Sequence, residues 1–278
     1  MAFGNMPKNS VEAYLKRYTE ELGGSVDEAR ERMLRIWARF GRFLYWPYRW
    51  LILAPVTFLT TATLTPLAIA ISLFSPNLAS RLIPPVWARL NSFFTPMWVD
   101  VKGRHHIRKG TSYVVVANHL SHYDIYVVYG WLGLDIKWVM KKELEKMPFI
   151  GSVCKAMGHI FIDRSNRKVA LETLEAAKAK IQGGTSVIFF PEGTRSDDGS
   201  LGEFKKGAFK FAQDLGLPIL PVTIKGTRQV LPKHTSEVMP GGVSMVIHEP
   251  VDVTAYGEEA LGAVINRVRN TIRWELEF

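Results

Sequence analysis

The hydrophobic pattern changes character near residue 97. Beyond it, short apolar runs alternate with stretches of helical spacing. The runs predict strands at Met97–Val101, Tyr113–Ala117, Ile136–Met140, His159–Ile162, Val187–Phe190, Ile219–Ile224 and Val243–His248. Between them the pattern predicts helices near residues 125–132, 165–182, 205–215 and 258–275. Such alternation predicts an α/β domain over residues 97–278, with a mixed, largely parallel sheet flanked by helices.

Residues 1–96 read as a helical, membrane-associating region. An amphipathic helix is expected over 11–22, ending at Gly23-Gly24. Ser25 and Glu28 have capping-box spacing for a second helix. It interleaves Arg30, Arg32, Arg35, Arg39 and Arg42 with bulky apolar residues, a pattern that suits a bilayer interface as well as a soluble core. From Trp50 to Ser80 there is no charged residue, and Leu51–Phe74 is long enough to cross a hydrocarbon layer of about 30 Å. Phe43, Tyr45, Trp46, Tyr48 and Trp50 crowd one end like an interfacial belt. Pro55, Pro66 and five threonines interrupt the run. Three readings follow: one kinked transmembrane helix, two short helices dipping into one leaflet, or a soluble helical hairpin. Arginines flank both ends, so charge gives no orientation.

The 278 residues carry a net charge of +9, which suits anionic partners such as a membrane surface, an acidic carrier or a phosphorylated substrate. Nucleic acid fits poorly, because neither zinc-finger spacing nor an aromatic-basic RNA-binding motif occurs. The single cysteine, Cys154, excludes an internal disulfide and reads as a small core residue in a reducing setting. Residues 1–10 lack the pattern of a signal peptide.

The first candidate chemistry lies where the strand ending at Ala117 gives way to a turn, a place where α/β folds gather sites. His119 is followed five positions later by Asp124, whose carboxylate can turn back to one imidazole nitrogen. That contact would fix the tautomer and make His119 a general base. The plainer alternative is a polar turn in which Asn118, Ser121 and Asp124 cap a helix. A second cluster follows the apolar strand Val187–Phe190: Pro191, Glu192, Gly193, Thr194, Arg195 and Ser196. Gly193 permits a tight turn, and a guanidinium at a strand end suits a phosphate. The alternative for Glu192 and Arg195 is a loop ion pair of little worth. Lys205 and Lys206 add charge, and Arg164 and either Lys141 or Lys142 also follow strand ends. Each alone is an ordinary surface charge.

Together these blocks, in this order, resemble the glycerolipid acyltransferases of the 1-acylglycerol-3-phosphate acyltransferase type. Asn118–Asp124 looks like the family's His-four-residues-Asp block. Gly158–Arg164 looks like the second, Phe190–Ser196 the third and most specific, and Leu217–Val222 the fourth. Lys141-Lys142-Glu143-Leu144, with Pro148 and Gly151, is similar to the family's linking segment. The resemblance covers roughly residues 98–250. It implies transfer of a fatty acyl group from acyl-CoA or acyl carrier protein to the hydroxyl of lysophosphatidate, giving phosphatidate. His119 and Asp124 would be catalytic. Arg195 and Arg164, assisted by Lys141, would clamp the acceptor phosphate, with Glu192, Gly193 and Thr194 completing the binding loop. No cofactor beyond the acyl-donor substrate is implied and no metal site is read, the pair His105-His106 being taken as loop. The expected setting is a membrane surface facing the cytoplasm, as on a bacterial inner membrane. Rival readings are another lysophospholipid acceptor, a lipid thioester hydrolase, and a non-catalytic membrane-binding module.

Overall fold

The computed structural model describes Gly41, Phe43 and residues 45–163, 165–256 and 260–277. These fall into two compact units, with the division after Leu51. The helix predicted over 11–22, and nearly all of the one starting at Ser25, lie outside the described residues. The helix running from Tyr45 to Ser72 is long and apolar enough to cross a membrane by length and composition, and only 17% of its most apolar stretch is buried.

After a π-helical turn at Arg49–Leu53, the charge-free run forms α1 (Ala54–Ser72) and opens α2 (Pro76–Phe94), which goes on to carry Arg81 and Arg89. Ser75 ends the connection by capping α2, its hydroxyl accepting from Leu78 N–H at 3.2 Å, with Pro76 preset for the first turn. Trp87 Nε1 donates to Thr61 Oγ1 (3.0 Å) and Asn91 Nδ2 to Thr60 Oγ1 (3.1 Å), which fixes α1 and α2 as a hairpin. The threonines that dilute the apolar run therefore have work within it. Thr60, Thr61 and Thr63 also donate to carbonyls one turn back, so their hydroxyls need no water. The hairpin belongs to the same compact unit as the sheet.

Seven strands form one sheet: β1 (Met97–Lys102), β2 (Val114–Ala117), β3 (Asp135–Lys141), β4 (Ile160–Ile162), β5 (Thr185–Phe189), β6 (Ile219–Lys225) and β7 (Gly241–Ile247). Their order is β1-β7-β6-β2-β5-β3-β4. Every neighbouring pair is parallel except β6 with β7. The sheet is therefore mixed and largely parallel, as the alternation of patterns predicts. Around it lie α3 (Tyr123–Trp131), α4 (Ile150–Ala156), α5 (Arg167–Lys178), α6 (Gly207–Leu215), the single turn α7 (Thr227–Val230) and α8 (Leu261–Glu277). Alternate residues of β2 serve two cores. Val114 and Val116 pack with Phe209 and Phe211 of α6 and Val268 and Ile272 of α8. Val115 and Ala117 pack with Val127 and Val128 of α3. Burial of β2 on both faces is what its unbroken apolar run demands. The run read as a strand from His159 starts one residue later, at Ile160, and α4 was not anticipated.

Candidate active site

The parallel pairing of β2 with β5 matches Val116 to Phe189. Carrying that register past the strand ends brings His119 to Glu192, and the structure joins them: His119 N–H donates to Glu192 Oε1 at 2.8 Å. Ser196 N–H returns a bond to the His119 carbonyl at 2.9 Å. On the other side, Asn118 clamps β6. Its Nδ2 donates to Ile224 O and its Oδ1 accepts from Ile224 N–H, both at 2.8 Å. Asn118 thus does not cap a helix; it extends the β2–β6 ladder with a side chain, directly before His119.

Asp124 starts the first turn of α3 and is completely buried. Its Oδ2 lies 2.7 Å from His119 Nδ1 and also accepts from Leu120 N–H (2.8 Å) and Ser121 N–H (3.0 Å). Its Oδ1 accepts from the Thr227 hydroxyl at 2.5 Å. Backbone amides only donate, so the carboxylate acts as acceptor on every side. Nδ1 therefore carries a proton, so that in the neutral imidazole Nε2 is the nitrogen with the lone pair. The His119 ring stacks on Phe190 with centroids 3.9 Å apart and an interplanar angle of 7°. Its side chain is 17% exposed: anchored at one nitrogen, covered on one face, yet reachable.

Glu192 is a structural tie for two loops. Oε1 holds His119, and Oε2 accepts from Gly202 N–H at 2.9 Å. Burial pushes its carboxyl above the usual range, and these two backbone bonds oppose that rise. Gly193 has φ +77°, and the Lys205 side chain lies across it. A cleft of about 570 Å³ opens here, lined by Glu192, Thr194, Arg195 and Lys205 among others. Its remaining acids are engaged: Asp197 with Lys233 at 2.8 Å, Glu203 with Arg269 at 3.2 Å, and Asp198 with the hydroxyls of Ser196 and Ser200. No described carboxylate pairs with Arg195 or Lys205. The cleft thus presents two basic groups with no ion-pair partner among the described residues, beside the carboxylates of Glu192 and Asp198, which are held by backbone N–H groups and hydroxyls. His122, whose imidazole is pushed below its usual range by burial and then by the Arg195 charge, ties this cleft electrostatically to the dyad.

Lys141 is exposed at the end of β3, separated from β2 by β5. Arg164 lies outside the described residues. The proline-bearing block Leu217–Val222 runs into β6, where Pro221 faces Val116 across the ladder and supports β2 from the side. Cys154 is buried, and burial pushes its thiol up to about 12, so it supplies no thiolate. His159 is neutral, held down at about 3 by burial first and the Lys137 charge second, and its Nε2 meets the Tyr129 hydroxyl at 2.8 Å. Tyr129 and Trp138 line an apolar cavity of about 190 Å³ between the α1–α2 hairpin, α3 and α4. Trp138 also packs on Phe190, the ring under His119, with centroids 5.8 Å apart. Sequence reasoning missed Thr227, the clamp made by Asn118, and the stacking of Phe190. Thr227 and Asn118 each left a trace: both follow the end of a predicted strand, as the named site residues do.

A family model described as Acyltransferase matches residues 98–225, which contain the dyad, the Glu192–Arg195 loop and β6. A chloroplastic 1-acyl-sn-glycerol-3-phosphate acyltransferase of Brassica napus is 34% identical over 69% of this chain and 54% of its own length. One from Chlamydomonas reinhardtii is 30% identical over 86% of this chain and 71% of its own. The chain spans about half the length of the Brassica napus and Arabidopsis thaliana relatives, at 54% and 48%. Among solved structures, the 1-acyl-sn-glycerophosphate (LPA) acyltransferase PlsC from Thermotoga maritima superposes with a TM-score of 0.66. It is 28% identical, and the match covers 82% of this chain and 96% of that one. The Chlamydomonas relative, matched along most of both chains, places this protein: it belongs to the 1-acyl-sn-glycerol-3-phosphate acyltransferase family.

Proposed function

We propose that the protein transfers a fatty acyl group from a thioester, acyl-CoA or acyl carrier protein, to the free hydroxyl of 1-acylglycerol-3-phosphate, giving phosphatidate. The observation that carries this reading is the His119–Asp124 pair at 2.7 Å, with a reachable imidazole beside a cleft into which Arg195 and Lys205 line up without an ion-pair partner among the described residues.

In this mechanism His119 Nε2 takes the proton of the acceptor hydroxyl as its oxygen attacks the thioester carbonyl carbon. Asp124 holds the tautomer and stabilises the imidazolium. Backbone N–H groups around Gly193, whose own N–H is held by the Phe190 carbonyl at 3.0 Å, or the Lys141 ammonium receive the oxyanion, a contribution of about 3–4 kcal/mol per donor in such sites. The tetrahedral adduct then expels the thiolate, which takes the proton from His119, so no proton is gained or lost overall. Arg195, with Arg164 and Lys141, binds the acceptor phosphate and fixes the hydroxyl beside His119. The apolar cavity behind Phe190 suits an acyl chain. The apolar hairpin holds the enzyme on the bilayer, on the side that carries the acyl donor, where acceptor and product reside.

The test is acyl transfer from an oleoyl thioester to lysophosphatidate in detergent, with wild type and His119→Ala side by side. Phosphatidate from the wild type alone is the expected result. Free fatty acid without acylated lipid would replace transfer by hydrolysis, and product from both proteins would remove His119 as the base.

A further inference from the structure

Between β3 and α4 the chain makes a tight knuckle. Lys142–Lys146 forms a 3-10 turn, Pro148 follows, and Phe149 sits at φ 62°, ψ −52°. Glycine adopts such a backbone freely, whereas a residue with a Cβ is strained there. The strain is held in place from both sides. Gly151 N–H donates to Met147 O (2.9 Å), Ile150 N–H to Pro148 O (2.7 Å) and Val153 N–H to Phe149 O (3.2 Å). Gly151 lies so close to Glu145 that any Cβ would collide with its carbonyl.

What this locked turn presents is apolar. Met147, Phe149 and Ile150 are 42%, 49% and 39% exposed. Lys141, Lys142 and Lys146 stand exposed around them, while Glu145 is engaged by Lys155 at 3.1 Å and Glu143 is the remaining acid. In water, a strained residue that exposes an aromatic ring is unfavourable twice over.

We propose that the knuckle is a bilayer-insertion point. Phe149, with Met147 and Ile150, enters the acyl boundary of an anionic membrane while Lys142 and Lys146 meet the headgroup phosphates. This rests on the membrane reading given above. Two observations select a lipid surface as the occupant. The lysines complement anionic headgroups. The helix that the knuckle leads into also packs on the hairpin: Val153 and Met157 at α4 share a small core with Ala68 of α1 and Ala79 of α2, and α1 itself leaves Phe58, Leu59 and Leu67 exposed. Ile150 also lines the apolar cavity, so insertion sets the cavity rim at the depth where acyl chains lie.

The test is co-sedimentation of the full chain with vesicles of phosphatidylcholine alone or mixed with phosphatidylglycerol. Phe149→Gly keeps the backbone and removes the ring, so it should bind the mixed vesicles roughly tenfold more weakly, with a melting temperature equal to wild type or higher. Phe149→Leu should keep vesicle binding. Lys142→Gln with Lys146→Gln should lose only the preference for phosphatidylglycerol. Unchanged vesicle binding by Phe149→Gly overturns the proposal. So does unchanged vesicle binding with a raised KM for acyl carrier protein thioesters, which would make the knuckle a dock for an acidic carrier. A wild type that binds no vesicles would instead overturn the membrane reading itself, and loss of acyl transfer with binding intact concerns the active site alone.

Discussion

Thr227 reaches Asp124 across 103 residues of chain, its hydroxyl 2.5 Å from Oδ1. It is fully buried at the start of α7, directly after Gly226, whose φ of +91° turns the chain off β6 against the Gly242 carbonyl. The other carboxylate oxygen is occupied by His119 and two backbone amides, so Thr227 fixes the rotation of Asp124 and through it the imidazole.

Thr227→Val keeps the shape and deletes the donor. A buried carboxylate oxygen left without a partner costs about 1–3 kcal/mol of stability. Because Asp124 acts on His119 rather than on substrate, kcat should fall roughly tenfold with the acceptor KM unchanged. Thr227→Ser, which restores the hydroxyl, should recover most of the rate. Steady-state kinetics of the three proteins check this; equal kcat for the valine and serine variants would leave Thr227 a packing residue.

The difference between what was legible and what was not follows sequence distance. The seven strands were readable because burial on one or both faces writes itself into consecutive residues, as in Val114–Ala117. His119 and Asp124 were readable because five positions bring them together within one turn. Thr227 and Asn118 were not, since each acquires its role from a partner more than 100 residues away. The charge-free run could not show which helix it packs against, because apolar helices look alike from composition. That pairing rests on single polar contacts, Thr60 with Asn91 and Thr61 with Trp87. Nor does any pattern announce that Phe149 occupies a backbone region suited to glycine.

Arg195 lines the cleft without a carboxylate partner among the described residues, so its charge is available to a ligand. Arg195→Ala should raise the KM for lysophosphatidate about tenfold to a hundredfold, as expected for losing charge-assisted hydrogen bonds to a phosphate. A monoacylglycerol acceptor, which lacks the phosphate, should be used equally poorly by both proteins. An unchanged KM for lysophosphatidate would refute the clamp.

Gly193 combines a positive φ of 77° with the Lys205 side chain across its open face, where a Cβ would come 2.6 Å from Nζ. Gly193→Ala therefore strains the backbone by about 1–2 kcal/mol and pushes Lys205 aside. The melting temperature should drop accordingly, and turnover should drop further than stability explains, because the loop also anchors His119 through Glu192. Adding Lys205→Ala to Gly193→Ala removes the collision but not the strain. If the double variant regained full stability, the lysine contact rather than φ would be the dominant cost.

His159 sets a pH limit on stability. Unfolded, an imidazole titrates near 6.5; folded, this one is held at about 3, chiefly by burial. Between those values the unfolded chain binds the extra proton, so stability rises with pH up to about 6.5 and is lost as pH falls toward 3. The loss is about 1.4 kcal/mol per pH unit. Its ring accepts from Trp138 N–H at Nδ1 (3.3 Å), which leaves Nε2–H to donate to the Tyr129 hydroxyl. His159→Gln can imitate both roles without titrating. Urea unfolding at about pH 7 and pH 5 should show the wild type losing roughly 2 kcal/mol more than the variant over that interval. Parallel losses in the two proteins would mean that His159 is protonated in the fold, and that Tyr129 and Trp138 do not seal it from water.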